Sequence, residues 1–542
     1  MSTTQQPDLY NDDKKDLSPD HAEHVEHVGD GEKVTNEDIL AEAMVGEAAE
    51  HSMGVWEAVR TYKWAVFWSL AMSMCIVMEA YDNALLGNLM AQPAFRERFG
   101  TYVGETSGYV ISAPWQTGLT QAPIVGCIIG VIITGEVATK WGYKKSALGA
   151  LVIMNLVIFA TFFAESLPVL LVGEFLCGLP WGAFIVVAPS YASEVAPLPL
   201  RGILTIWIQV CWCIGQFFAS GVLYALESRN DKWAYKIPFA LQWVWPLPLM
   251  AMISFAPESP WWLVRAGRLE DAEDVVERLG GNHSRASPKD TVATMVRTNA
   301  IEMAETAGTT YADCFKGTDL RRTWITCFIH SFANFTGLLL SNLGTYFFTV
   351  AGLPSKQAFA LGLGTTGIQF VAVLGSWWLS TRAGRRSMYL GGLAFNIVVL
   401  GLIGTLACLK QTTPILWAQG VLLILISFQW GFTMGPITYT TIGETSSVRL
   451  RAKTVGLSRD AYYLSYIPLS IINSYMLNPT GWNMVGKSAW VWCGTATCLW
   501  ILCYFEFPEF KDRSFREIDI LFHRHVPARR FKSIKVDESV DE

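Results

Sequence analysis

Charge is what this chain lacks. Asp, Glu, Lys and Arg make up 16% of its 542 residues, against 51% hydrophobic. A soluble protein of that length needs more charge to cover its surface, so a soluble multidomain protein is excluded. Cysteine occurs eleven times but without framework spacing, mostly inside apolar runs (Cys75, Cys127, Cys177, Cys211, Cys213, Cys493, Cys498). That pattern reads as small buried hydrophobes rather than a disulfide scaffold. The eight His show no metal-ligand pairing, and no metal site is expected. No basic tract points to nucleic acid. No hydrolase, kinase or dinucleotide constellation appears, so an enzyme is not expected. A long polar tail precedes the first apolar run, which argues against a cleavable signal and leaves that run to direct insertion itself.

The charges that are present lie in clusters, separated by apolar stretches of about 20 residues, the length that crosses a hydrocarbon core of about 30 Å. Apolar windows place spans at 64–88, 113–138, 146–164, 167–190, 203–226 and 237–256, then at 323–348, 357–380, 387–408, 414–442, 454–475 and 486–506. The expected class is an all-α membrane protein of twelve transmembrane helices in two pseudo-symmetric six-helix halves. Its parts are an acidic N-terminal tail (1–60), a first half (61–256), a linker (257–322), a second half (323–506) and a C-terminal tail (507–542).

The net charge of −6 hides an asymmetry: residues 1–50 carry fourteen acids against three Lys. That tail reads as a solvated disordered segment, with a short amphipathic helix possible around Asp38–Met44. Lys140, Lys144 and Lys145 follow span 2, Arg201 follows span 4, Arg382, Arg385 and Arg386 follow span 8, and Arg449, Arg451 and Lys453 follow span 10. The positive-inside rule then puts both termini in the cytoplasm. The interval 257–322 is too long for a tight loop. Its amphipathic stretch around Leu269, Ala272, Val276 and Leu279 fits helices lying on the cytoplasmic face.

The chain also repeats itself. Glu194 and Arg201 after span 4 are matched by Glu444 and Arg451 after span 10, at an offset of 250. Pro257-Glu258 after span 6 is matched by Pro508-Glu509 after span 12, at an offset of 251. A Gly followed by cations recurs after spans 2 and 8, in Gly142-Tyr143-Lys144-Lys145 and Gly384-Arg385-Arg386. Chance positive-inside charge accounts for the cations but not for glutamates at fixed spacing, so a duplicated half is expected. Two such halves rock about a site near the midplane, giving alternating access. Glu194, Arg201, Glu444, Arg451, Glu258, Lys144 and Arg385 are then the candidate gate, with opposed Glu and Arg pairing across the halves when the carrier opens outward and separating when it opens inward.

These motifs resemble the sugar-porter branch of the major facilitator superfamily, in the stretches Gly135–Lys145, Ser193–Gly202 and Pro257–Leu263. Within it, the chain looks most like the fungal α-glucoside (maltose) permeases. The strings that carry this are Glu79–Asp82, Cys177–Gly182, Pro238–Trp245, Pro257–Val264 and Val526–Lys532, over a resemblance running from about residue 38 to 537. It departs from the family at Thr139-Lys140, where Asp-Arg is usual. Glu174 stands where monosaccharide porters often carry Arg, and Cys127 where maltose permeases commonly carry Glu.

Glu79 and Asp82 are three apart in span 1 and share a helix face. A carboxylate in hydrocarbon costs a few kcal/mol or more unless it faces a cavity, meets a cation or binds a proton. The resemblance puts Asp82 at the proton-coupling position, with Glu79 beside it, and Arg459 in span 11 is the candidate cation. A static ion pair of Arg459 with Asp460 or Glu79 is the alternative. For sugar hydroxyls and ring faces the candidates are Gln209 and Gln216 in span 5, Asn334 and Asn342 in span 7, Gln369 in span 8, Tyr462 and Tyr463 in span 11, and Gln116 in span 2. Amides that merely bridge helices are the alternative for each. Span 7 lacks the paired glutamines of hexose porters and span 10 has Met434 where they often place Trp, which leaves room for a second sugar ring.

The resemblance implies a plasma-membrane α-glucoside:proton symporter acting as a monomer, with the sugar and the bilayer as partners, no nucleic acid, and the proton as coupling ion in place of any cofactor. The alternatives are a proton-independent facilitator, kept alive by Cys127, an oligosaccharide sensor, or a carrier of cellobiose, lactose or sucrose.

Overall fold

The computed structural model describes residues 55–534 apart from 105–107, 197, 281–286, 307–309, 448–449, 512 and 514. The acidic tail and the helix expected near 38–44 fall outside the described residues, as do the side chains of Arg201 and Arg451.

Twelve membrane-length units follow one another. Span 1 is Lys63–Ser73 continued by Cys75–Leu89, span 2 is Ala113–Trp141, span 3 Tyr143–Phe162, span 4 Leu167–Val195 and span 5 Leu198–Leu226. Span 6 joins Trp233–Leu241 to Pro246–Ser254 through a 3-10 turn. Span 7 comes in three pieces, Gly317–Phe335, Leu338–Asn342 and Gly344–Val350. Span 8 is Ser355–Arg382, span 9 Arg385–Ala407, span 10 Thr413–Thr445 with a π turn at Trp430–Met434, span 11 Arg451–Leu477 and span 12 Ser488–Glu506. Ten of these are apolar and long enough to cross a membrane on those grounds alone, and spans 7 and 11 are the two that fall short. The reason is local: span 7 is broken where Gly337 takes a left-handed φ of 79°, and span 11 carries Arg459, Asp460 and Asn473.

The ends follow ordinary capping chemistry. Spans 2, 4 and 10 start with Pro in the first turn after Ser112, Ser166 and Thr412, where a missing N–H costs nothing. Large apolar side chains such as Ile132, Leu156, Val371 and Val398 stay exposed on the bundle, a surface that hydrocarbon accepts and water penalises. Spans 2 and 4 touch backbone to backbone: a Cβ on Gly126 or Gly130 would lie 2.1 Å from a span 4 carbonyl. Without a side chain at these two positions the helix backbones can approach this closely, whereas Gly135 of the same span meets nothing within 4 Å.

The described residues of 257–316 pack at one end of the bundle, called the linker end here, and the opposite end is the loop end. The expected amphipathic stretch is the helix Leu269–Gly280, burying Ala272 and Val276 against Trp262, Leu263, Val292 and Met295, and Leu279 against the core of the first half. The C-terminal helix Phe515–His523 is also at the linker end, tied by its Asp519 to the buried Arg322 of span 7. A two-stranded hairpin, Thr101–Tyr102 with Tyr109–Val110, closes the loop after span 1.

The apolar core explains how the halves meet. One cluster joins spans 1–6 to Leu279 of the linker helix, around Trp68, Trp181, Phe184 and Tyr191. Another joins Phe332, Phe347, Tyr389 and Trp492 of the second half to Leu85, Phe95, Leu119 and Phe239 at the loop end of the first. The halves are therefore fused by apolar packing at the loop end, and a small cluster of Val210 and Cys213 of span 5 with Val373 of span 8 also bridges them.

Candidate functional site

Where spans 1, 2, 5, 7, 8, 10 and 11 converge they leave a cavity of about 980 Å³ of atom-free space, its mouth included. Three expected sugar-binding amides line it: Gln216, Asn342 and Gln369. Asn83, Asn88, Thr365, Thr366 and Asn473 join them, along with Tyr466. The break in span 7 is what brings Ser341 and Asn342 to the wall. Ser341 is fixed there by Ser427 of span 10, hydroxyl to hydroxyl at 2.6 Å. Irregular backbone at mid-depth is tolerated because it borders a polar cavity.

The other amide and aromatic candidates have different places. Asn334 is buried and bridges helices, its Nδ2 donating to the Tyr462 carbonyl (3.0 Å) and the Ser465 hydroxyl (2.9 Å). Gln116 is buried at the loop end, where its Oε1 accepts from Asn478 Nδ2 at 2.6 Å. Gln209 is half-buried on span 5 beside Cys213, away from the cavity wall. Tyr462 and Tyr463 sit behind the wall, and the aromatic that reaches it is Tyr466, stacked on Tyr462 with 5.8 Å between centroids. One helical turn separates the expected aromatic from the one in place, a displacement that spacing alone does not resolve.

The acids of span 1 face different partners. Asp82 is fully buried and accepts a hydrogen bond at 2.5 Å from Gln242 Nε2, in the 3-10 turn of span 6. On its other side lie Glu174 and Cys177 of span 4: one carboxylate oxygen from each acid and the Cys177 Sγ lie within 4.8 Å of one another. Glu79 is turned toward the second half, where the Arg459 guanidinium acts on it electrostatically. Arg459 lies over the Tyr462 and Tyr463 rings, 5.5 and 5.2 Å from their centroids. The Tyr463 hydroxyl reaches Cys127 Sγ at 3.8 Å, a contact between halves. Sequence spacing put Glu79, Asp82 and Arg459 in one group. The fold divides them, because residues three apart on a helix differ by about 60° in direction. Asp460 is exposed.

At the linker end the described partners of the gate acids lie inside each half, while the side chains of Arg201 and Arg451 fall outside the described residues. Glu194 accepts from Arg265 Nη2 at 2.8 Å and from the Tyr143 hydroxyl at 2.9 Å, and the Ser259 hydroxyl also donates to it. Glu258 accepts the backbone N–H of Tyr143 (3.0 Å) and Lys144 (3.2 Å), so Lys144 contributes its backbone to this network. Burial pushes the Glu258 carboxyl above its ordinary value, and those N–H groups pull it part of the way back. In the second half Arg385 donates to Glu444 at 3.2 Å, and its backbone N–H donates to Glu509 at 2.7 Å. Among the described residues each of these acids is held by its own half. Arg265 and Glu509 were missed as candidates, although Pro508-Glu509 stood in the repeat. Gln242 and Glu174 lay in or beside noted strings, but nothing in spacing paired either with Asp82.

Two six-helix halves around a polar cavity, joined by apolar packing at the loop end, define a membrane carrier of the major facilitator type. The chain belongs to the sugar (and other) transporter family, whose profile matches residues 68–522. It is 36% identical over 545 residues to a maltose permease of Saccharomyces cerevisiae, covering 97% of this chain and 87% of that one. It is 37% identical over 521 residues to a general alpha-glucoside permease of the same yeast, covering 94% and 83%. Among solved structures, the xylose transporter XylE from E. coli in a partially occluded inward-open conformation superposes with a TM-score of 0.67 at 17% identity, covering 84% of this chain and 99% of that one. At that identity the likeness concerns the fold.

Proposed function

We propose that this protein carries an α-glucoside disaccharide, maltose-like, into a fungal cell across the plasma membrane together with a proton. The observation that carries this reading is 36–37% identity, across nearly the whole chain, to yeast permeases named for maltose and α-glucosides. The cavity supports it with amide and hydroxyl groups suited to sugar hydroxyls. The linker end, rich in Lys and Arg, faces the cytoplasm on the positive-inside rule, and both termini with it. The protein works as a monomer, since the cavity is complete within one chain.

Transport follows from rocking of the halves about that cavity. In the present state the loop ends are packed. In the opposite state the linker ends close, bringing the Glu194–Arg265 and Glu444–Arg385 networks together with Arg201 and Arg451. Asp82, with Glu79 and Arg459, carries the coupling proton. A second reading, facilitated diffusion without a proton, is favoured by Cys127, which puts a thiol against Tyr463 where the resemblance leads one to expect a carboxylate. Uptake of labelled maltose, cellobiose, lactose and sucrose in a transport-deficient cell, with external pH recorded, separates these. Maltose uptake with alkalinisation supports symport. Uptake without alkalinisation supports the facilitator, and binding without uptake supports a sensor.

A further inference from the structure

The least accounted-for group in the membrane is Glu174. Its side chain is fully buried, and neither carboxylate oxygen meets a hydrogen-bond donor among the described residues. It belongs to no ion pair there, and neither does Asp82, whose Oδ2 is also without a donor. Yet the two acids approach each other within 4.8 Å. Two ionised carboxylates this close, out of water and without a cation, repel strongly. A single proton between them removes the repulsion and supplies the missing hydrogen bond. A second, non-acidic group points the same way: Gln242 is fully buried, donates from Nε2 to Asp82 Oδ1, and leaves its own Oε1 unpartnered beside the pair.

We propose that Asp82 and Glu174 form one proton-holding pair, and that Glu174 is a second coupling residue of the carrier. The inference rests on the symport reading and deepens it. A proton taken from water at one face bonds to an oxygen of one acid and is shared with the other, so the pair changes charge from −2 to −1. The same proton leaves to water at the other face, and the pair returns to −2. Gln242 donates to Asp82 Oδ1 in either microstate, which keeps the proton on the Asp82 oxygen facing span 4 or on Glu174 itself. The surrounding elements bring few other titratable groups: Glu79 and Tyr81 from span 1, Cys177 from span 4, Cys127 from span 2, Cys211 and Cys213 from span 5. The Tyr81 hydroxyl is committed to the Pro238 carbonyl at 2.9 Å. The Arg459 cation acts on Glu79 rather than on this pair. One proton per sugar follows from a pair that holds one.

The test uses the full chain in a transport-deficient cell and reads sugar uptake and sugar-driven alkalinisation against external pH. In Glu174→Gln, Asp82 loses the like charge that favours its proton, so half-maximal uptake moves about one pH unit or more toward acid. Glu174→Asp keeps the pair and stays near the wild-type profile. An unmoved midpoint in Glu174→Gln, with wild-type alkalinisation intact, overturns the pair while leaving symport standing. Absence of alkalinisation in the wild type overturns symport first, and the pair with it. Should Glu174→Gln fail to reach the membrane, infrared difference spectra of Asp82→Asn decide. The pair requires the Glu174 carboxyl stretch to titrate at least tenfold more weakly than in wild type, and an unchanged titration overturns it.

Discussion

Glu258 and Glu509 hold the same position in the two halves of the molecule. Each rests its carboxylate on the first turn of the helix that follows a glycine, Glu258 on Tyr143 and Lys144, Glu509 on Arg385. A helix N-terminus offers unpaired N–H groups and a positive dipole end, and a carboxylate satisfies both. The glycines make room: a Cβ would fall 2.3 Å from Glu258 Oε2 at Gly142 and 2.2 Å from Glu509 Oε2 at Gly384. The repeated Gly and the repeated Pro-Glu, far apart in sequence, are thus one device used twice.

Alanine at either glycine is expected to displace the carboxylate and lower the melting temperature of the detergent-purified protein. Gly142 also stands at φ 89°, where a side chain adds about 1–2 kcal/mol of backbone strain. Gly142→Ala should therefore melt lower than Gly384→Ala, whose backbone is extended at φ −73°. Wild-type melting in both would contradict the cap.

The cavity distinguishes two kinds of amide. Removing Gln216 or Gln369 takes a hydrogen-bonding group from the wall, and each alanine variant is expected to raise the KM for uptake about tenfold, the equivalent of about 1–1.5 kcal/mol. Asn334→Ala breaks a buried bridge between spans 7 and 11 instead, and should lower thermal stability with KM nearly unchanged. A KM effect in Asn334→Ala larger than those of the two glutamines would move the site.

Asn478 fastens the loop ends, donating to the Ile111 carbonyl at 2.9 Å and to Gln116 Oε1 at 2.6 Å. Its alanine variant leaves both acceptors buried without this donor, a cost of about 1–3 kcal/mol borne only by the loop-closed state. Cysteine labelling from the loop side should rise about fivefold or more. Labelling equal to wild type would remove Asn478 from the gate.

Acid should loosen the linker before span 7. Asp313 closes a capping box with Thr310 and receives Lys316 Nζ at 2.8 Å. The Lys316 and Thr310 hydrogen bonds hold its carboxyl below the usual 3.8. A depressed acid contributes stability that is present above its unfolded value and lost as pH falls through its folded one. Protection factors of the amides across 311–315 are expected to fall as pH drops below about 4, and Asp313→Asn should show the lowered protection at neutral pH. Exchange in the Asp313→Asn variant equal to wild type would discount the box.

The spans were legible because hydrocarbon imposes a length and an apolarity that any window detects, and observed ends fall within a few residues of those expected. The exceptions teach more. Span 5 begins at Leu198 rather than 203, and span 7 at Gly317 rather than 323, since helices continue past the apolar run into the headgroup region where capping, not hydropathy, stops them. Gln216, Asn342 and Gln369 were readable as wall residues because a polar side chain in an apolar span needs a polar neighbour. The same argument applied equally to Asn334 and Gln116, which found theirs in another helix.

Composition, apolar length, charge asymmetry and the internal repeat are properties of neighbours along the chain, and they sufficed for twelve helices, two halves and a carrier class. Partners across the bundle are another matter. Whether Asp82 meets Arg459 or Glu174, and whether Glu194 reaches across the halves or back to Arg265, depends on how helices rotate about their axes and where their breaks fall. A rotation of some 60° exchanges one partner for another without changing hydropathy at all. Only the packed structure chooses between such rotations, because the choice is made by close contact over whole helix faces.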